Sequence, residues 1–212
     1  MKIENNLIYF ANVDLVNQEI MNNYFKNDPN FSKLLKTEDY ELENDKKLNF
    51  LTIYFIANYL KSNDFDFKDL YFEYGKPLVR IQNHYFSIAH KNKYCVFIAS
   101  DQQIGIDIEE IVNGKYQYIA SKYFPNFIDK TDSENFFKYW TKTEALIKCE
   151  NIPFEIAAKK INNTTDVDID IIDNLFFFYS VKCYDMRLSF CKKNTENVNY
   201  SKYELKSIDF NN

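Results

Sequence analysis

Hydrophobic and polar positions alternate or recur in blocks along this chain, and the blocks predict its elements. Ile3 to Val16 reads as a strand followed by a turn, and residues 17 to 35 carry helix-spaced apolar positions up to Pro29. Glu43 to Leu60 predicts a helix, with Leu48, Leu51, Phe55 and Tyr59 on one stripe. Asp69 to Val79 holds Tyr71-Phe72-Glu73-Tyr74 and a turn at Gly75. His84–Ile88 and Tyr94–Ala99 predict two strands joined at Lys91-Asn92-Lys93. An acidic strand follows over residues 101 to 111. Residues 113 to 130 predict a helix and then a loop broken at Pro125, and residues 133 to 150 a helix. Beyond Pro153, strands are expected over residues 167–172, 175–181 and 186–191, then a polar tail from Asn194.

The acidic strand carries the first chemical signal. In Ile104-Gly105-Ile106-Asp107-Ile108-Glu109 the isoleucines alternate with the other three residues. Ile104, Ile106 and Ile108 therefore face a core, and Asp107 and Glu109 share the opposite face. Two carboxylates about 7 Å apart along one face repel each other, so a positive partner is expected between them. Gly105 would leave room for a ligand to approach. A hard divalent cation such as Mg2+ or Mn2+ suits these oxygen ligands.

The second signal lies in Phe136 to Lys148. Trp140, Glu144 and Lys148 stand at i, i+4 and i+8 and form one ridge of the predicted helix. A buried Trp140 would anchor the ridge, and apolar positions 136, 140 and 147 would face the core. By spacing alone, Glu144 and Lys148 also fit an ordinary surface ion pair.

Gly-Ile-Asp-Ile-Glu followed by Trp140-x-x-x-Glu144-Ala145-x-x-Lys148 resembles the 4'-phosphopantetheinyl transferase superfamily. Glu73-Tyr74-Gly75-Lys76-Pro77 and Phe86-Ser87-Ile88-Ala89-His90 fit its longer, Sfp-type branch. The resemblance implies an α+β fold built as a pseudo-twofold pair of similar halves, here residues 1–100 and 101–212, with the site between them. It implies transfer of 4'-phosphopantetheine from coenzyme A to a serine of an acyl or peptidyl carrier protein. Asp107, Glu109 and Glu144 would be metal ligands, and Glu144 and Lys148 the catalytic pair. Lys148, His90, Lys76 and, from the start of the first long helix, Lys47 would meet coenzyme A phosphates. The segment around Tyr123 to Phe127, with Lys115, Lys122 and Lys130 nearby, would contact the carrier. Two fused halves imply a monomer. The chain departs from the family pattern at Ala89, where a serine is common, and at Thr143, where a lysine precedes the helix glutamate. Helix geometry turns Thr143 away from the ridge, so its departure is expected to affect an outer contact and not the metal.

Composition narrows the classes. The formal charge is −5, which argues against a nucleic-acid partner. Cys95, Cys149, Cys183 and Cys191 form no Cys-x-x-Cys pair, and no signal peptide or membrane-length apolar run is expected, so the reading is cytoplasmic with reduced thiols. Two other functions fit the same residues: a non-catalytic module that binds coenzyme A or a carrier, and a Mg2+-dependent phosphohydrolase in which water replaces the serine.

Overall fold

The computed structural model describes residues 2–4, 7–27, 43–73, 76–114, 116–126, 132–164, 168–193 and 203–210. Expectations at Pro29, Tyr74, Gly75, Lys115, Phe127, Lys130 and Val167 lie outside the described residues. The protein is mixed α+β and divides into two compact units, Met1–Ala99 with Lys202–Asn212, and Ser100–Ser201. The second unit is thus inserted into the first, which the sequence break after residue 100 did not suggest.

In the first unit, β1 (Leu7–Asn12), β4 (Tyr85–Lys91), β5 (Tyr94–Ser100) and β10 (Glu204–Ser207) form a sheet in the order β10-β1-β5-β4. β10 lies in the tail, which the sequence reads only as polar, and pairs parallel with β1 from Leu7↔Glu204 to Phe10↔Ser207. Among the described residues, the helices of this unit are α1 (Gln18–Asn27) and α2 (Glu43–Ser62). The expected stripe of α2 is buried, but so are Phe50, Ile53, Tyr54 and Ile56, so the helix is enclosed nearly all round its second half. Phe55 of α2 stacks on Phe97 of β5 at 5.4 Å between ring centroids and fastens the sheet to the helix, while Phe86 of β4 stacks on the same ring at 5.5 Å within the sheet. Such aromatic pairs add about 0.5–1.5 kcal/mol each beyond their buried area. A separate hairpin joins β2 (Leu70–Glu73) to β3 (Lys76–Val79), and Lys76 begins a strand opposite Glu73.

In the second unit, β6 (Ile104–Glu110), β7 (Ile169–Ile172), β8 (Phe176–Cys183) and β9 (Met186–Lys193) form a sheet in the order β6-β9-β8-β7. Its helices are α3 (Gln117–Tyr123), α4 (Ser133–Glu150) and α5 (Phe154–Ile161). α4 starts at an Asp132 cap, whose carboxylate accepts from the Asn135 N–H, and ends at Asn151 in a left-handed conformation. In each unit the first strand pairs antiparallel with the last strand of the following hairpin, β1 with β5 and β6 with β9. Helices intervene both times.

α5 was not expected from the sequence, although its signal is present. Phe154, Ala157, Ala158 and Ile161 follow helical spacing, Glu155 opens the helix, and Lys159 and Lys160 close it. Phe124, in the segment that the resemblance sets against the carrier, is fully buried and packs on Phe136 and Tyr139. Among the described residues, no helix is long and apolar enough to cross a membrane.

Candidate functional site

Helix α4 lies over the Gly105, Asp107 and Glu109 face of β6. A methyl group added at Gly105 would stand 2.1 Å from the Ala145 carbonyl oxygen and 2.6 Å from the Cys149 nitrogen. The space at Gly105 is therefore filled by the backbone of α4 and is not an approach for a ligand, which corrects the expectation. Ile104, Ile106 and Ile108 are buried as their alternation predicts, but Asp107 is buried as well. A sequence period marks two faces of a strand; it does not say that one of them stays open.

This close packing delivers the ridge of α4 to the acidic strand. Lys148 Nζ donates to Asp107 Oδ1 at 2.7 Å. Asp107 Oδ2 is buried and has no hydrogen-bond partner among the described residues. Burial pushes the Asp107 carboxyl up to about 6, against the opposing pull of Lys148 and with a further push from Glu109 and Glu144. Glu144 is also raised by burial, partly offset by Lys148 and reinforced by Glu109. Asp107, Glu109, Glu144 and Lys148 thus form one electrostatically connected group built from two elements.

An orphaned buried carboxylate oxygen is an atom an oxygen-liganded cation can claim, and Glu109 and Glu144 act on the same carboxyl electrostatically. The fit is not a closed cage. Among the described residues, no three His, Cys, Asp or Glu side chains stand together as a metal cluster. Lys148 supplies the positive charge that the sequence pattern demands.

The anchor of the ridge differs from expectation. Trp140 is half-buried, stacked on Phe136 at 6.0 Å and tilted on Phe154 at 5.3 Å. Phe136, Tyr139, Leu146 and Cys149 of α4 are buried in the apolar core instead, and Lys138, Thr141 and Lys142 are buried beside them. Thr143 is 0% exposed, and its Oγ1 donates to the Tyr139 carbonyl at 2.8 Å. It therefore makes no outer contact with a ligand. Lys142, 2% exposed, lies 3.9 Å from Asp170.

The remaining sequence candidates belong to the first unit. His90 is exposed near the end of β4, after a buried Ala89, and Lys76 is half-buried. Lys47 sits in the first turns of α2 and pairs with Glu43 at 3.0 Å. Sequence reasoning missed Arg187, buried on β9 directly across from Glu109. The alternation of Arg187, Ser189 and Cys191 on one face of β9 is the signal that would have found it.

A mixed α+β protein with a buried carboxylate–lysine site is the class defined so far. Comparison with known proteins gives it company. The chain is 26% identical over 131 residues to the 4'-phosphopantetheinyl transferase Sfp of Bacillus subtilis, covering 54% of this chain and 56% of the relative. It is 33% identical over 88 residues to the 4'-phosphopantetheinyl transferase gsp of Aneurinibacillus migulanus, covering 36% and 35%. The chain thus spans about half or less of these relatives. No family model matches it.

Proposed function

We propose that the protein transfers 4'-phosphopantetheine from coenzyme A to a serine hydroxyl of an acyl or peptidyl carrier protein, releasing adenosine 3',5'-bisphosphate. The observation that carries this reading is the Lys148–Asp107 contact with its orphaned carboxylate oxygen, in a chain similar to two transferases of that name. The reading takes the fold as the Sfp-type pair of similar halves and the protein as a cytoplasmic monomer.

Asp107, Glu109 and Glu144 would hold Mg2+. When bound, that ion would neutralise charge on the pyrophosphate. Lys148 would leave Asp107 for a phosphate oxygen, since its ammonium is mobile on a four-carbon stem. Glu144 would take the serine proton. The serine oxygen forms a bond to phosphorus, and the phosphorus–oxygen bond to adenosine bisphosphate breaks. His90, Lys76 and Lys47 are proposed as phosphate partners on the family resemblance alone.

A second reading, a module that binds coenzyme A or a carrier without turnover, is favoured by two observations. Lys148 already neutralises Asp107, and no closed metal cluster stands among the described residues. Mass spectrometry of apo carrier proteins, incubated with this protein, coenzyme A and Mg2+, separates the two. A carrier heavier by one phosphopantetheine is expected. Tight coenzyme A binding with unmodified carriers would favour the module, and released phosphopantetheine with unmodified carriers the phosphohydrolase.

A further inference from the structure

The sheet face under α4 is apolar at Cys191 and Phe178 but polar in the next row, where helix–sheet contacts are ordinarily apolar. Asp107 pairs with Ser189, and Ser189 pairs with Ser180, across three neighbouring strands. Partners in an antiparallel pair point to the same side, so the three form one row beneath the helix. Thr141 reaches down onto that row, with its Oγ1 2.7 Å from Ser189 Oγ. Ser189 Oγ donates to Ser180 Oγ at 2.7 Å, and Arg187 Nε donates to Ser180 Oγ at 2.9 Å. The Arg187 guanidinium, 3% exposed, also meets Asp168 and, at 3.6 Å, Glu134 in the first turn of α4. The helix is therefore tied to β8 and β9 at two heights, through Thr141 and through Glu134.

Apolar side chains of similar shape would pack this contact without the cost of burying polar groups. What directional bonds add is a fixed register. Thr141, Glu144 and Lys148 stand at i, i+3 and i+7, within about 60° of one another around the helix axis. Any slide of α4 along β6 that moves Thr141 off Ser189 also moves Lys148 off Asp107.

We propose that Thr141, Ser189, Ser180 and Arg187 are positioning residues. Their bonded chain fixes α4 over β6 so that Lys148 Nζ meets Asp107 Oδ1 and Glu144 stands beside them. The consequence for catalysis rests on the transferase reading; the positioning itself does not.

The test compares Thr141→Val with Thr141→Ser and with Thr143→Val. Thr143 is equally buried on the same helix, and each threonine Oγ1 lies 2.8 Å from the carbonyl four residues earlier, Phe137 for Thr141 and Tyr139 for Thr143; Thr141 adds the contact to Ser189. It controls for the loss of a buried hydroxyl as such. In crystal structures, Thr141→Val should open the 2.7 Å Lys148–Asp107 contact beyond hydrogen-bond reach, while Thr141→Ser and Thr143→Val keep it. In transfer assays, Thr141→Val should lower kcat by about tenfold with little change in KM for coenzyme A, and Thr141→Ser should restore it. Should Thr141→Val fail to fold, Ser189→Ala carries the same comparison. A contact that survives in Thr141→Val, or that opens equally in Thr143→Val, overturns the proposal. If the contact responds to Thr141 but the wild type modifies no carrier, positioning stands and the transferase reading falls.

Discussion

Lys148 and Asp107, 41 residues apart in the chain, meet at 2.7 Å, and the lysine bonds only one of the two carboxylate oxygens. That half-satisfied carboxylate organises the site. Its burial is unfavourable by itself, the lysine compensates in part, and one oxygen is left for something else to claim.

The first prediction is the pH dependence of stability in the presence of a chelator. The Asp107 carboxyl is raised from 3.8 in the unfolded chain to about 6 in the folded one. Between those values the folded chain holds a proton that the unfolded chain has released, so this group's contribution to stability falls as pH rises. The contribution is fully favourable below the unfolded value and lost above about 6. A shift of this size corresponds to about 3 kcal/mol. Asp107→Asn should therefore gain stability relative to wild type between pH 4 and pH 7, by up to about 3 kcal/mol. Urea unfolding at both pH values checks this; a difference that stays constant contradicts it.

The second concerns the cation. Glu144→Ala and Asp107→Ala should each reduce transfer by about a hundredfold or more, with the fold intact in far-ultraviolet circular dichroism. Chelation of the wild type should abolish transfer, and added Mg2+ should restore it. Activity that persists after complete chelation rules out the metal.

The third concerns Gly105. An alanine methyl would collide with the backbone of α4 at Ala145 and Cys149, and backbone cannot rotate out of the way. Overpacking of this kind costs about 1–3 kcal/mol or more. Gly105→Ala should lower the thermal midpoint and weaken transfer together, because the same shift lifts Lys148 from Asp107. A variant as stable and active as wild type would show that α4 is not seated on β6 as described.

The fourth concerns Thr143. A lysine there would replace a hydroxyl that is buried and bonded to the Tyr139 carbonyl. Thr143→Lys should destabilise the protein by about 2–4 kcal/mol, and not tune ligand affinity in a stable background. Calorimetry of the two proteins decides; an unchanged midpoint would place the side chain at the surface after all.

Much of this was legible in the chain itself. The period of two in residues 104–109 and the spacing of Trp140, Glu144 and Lys148 mark a strand and a helix, because each depends only on local backbone geometry. The same spacing selects the carboxylates and the lysine as candidates. Tertiary structure decided what those elements touch. Gly105 reads from sequence as an open approach and in the fold is the seat of α4, since a missing side chain admits a helix as readily as a ligand. The polar side of α4 is buried because Ser180, Arg187 and Ser189 come up beneath it from strands nearly forty residues or more downstream of Thr141. The return of β10 to β1 rests on pairing between chain segments about two hundred residues apart, and no local pattern encodes such a contact.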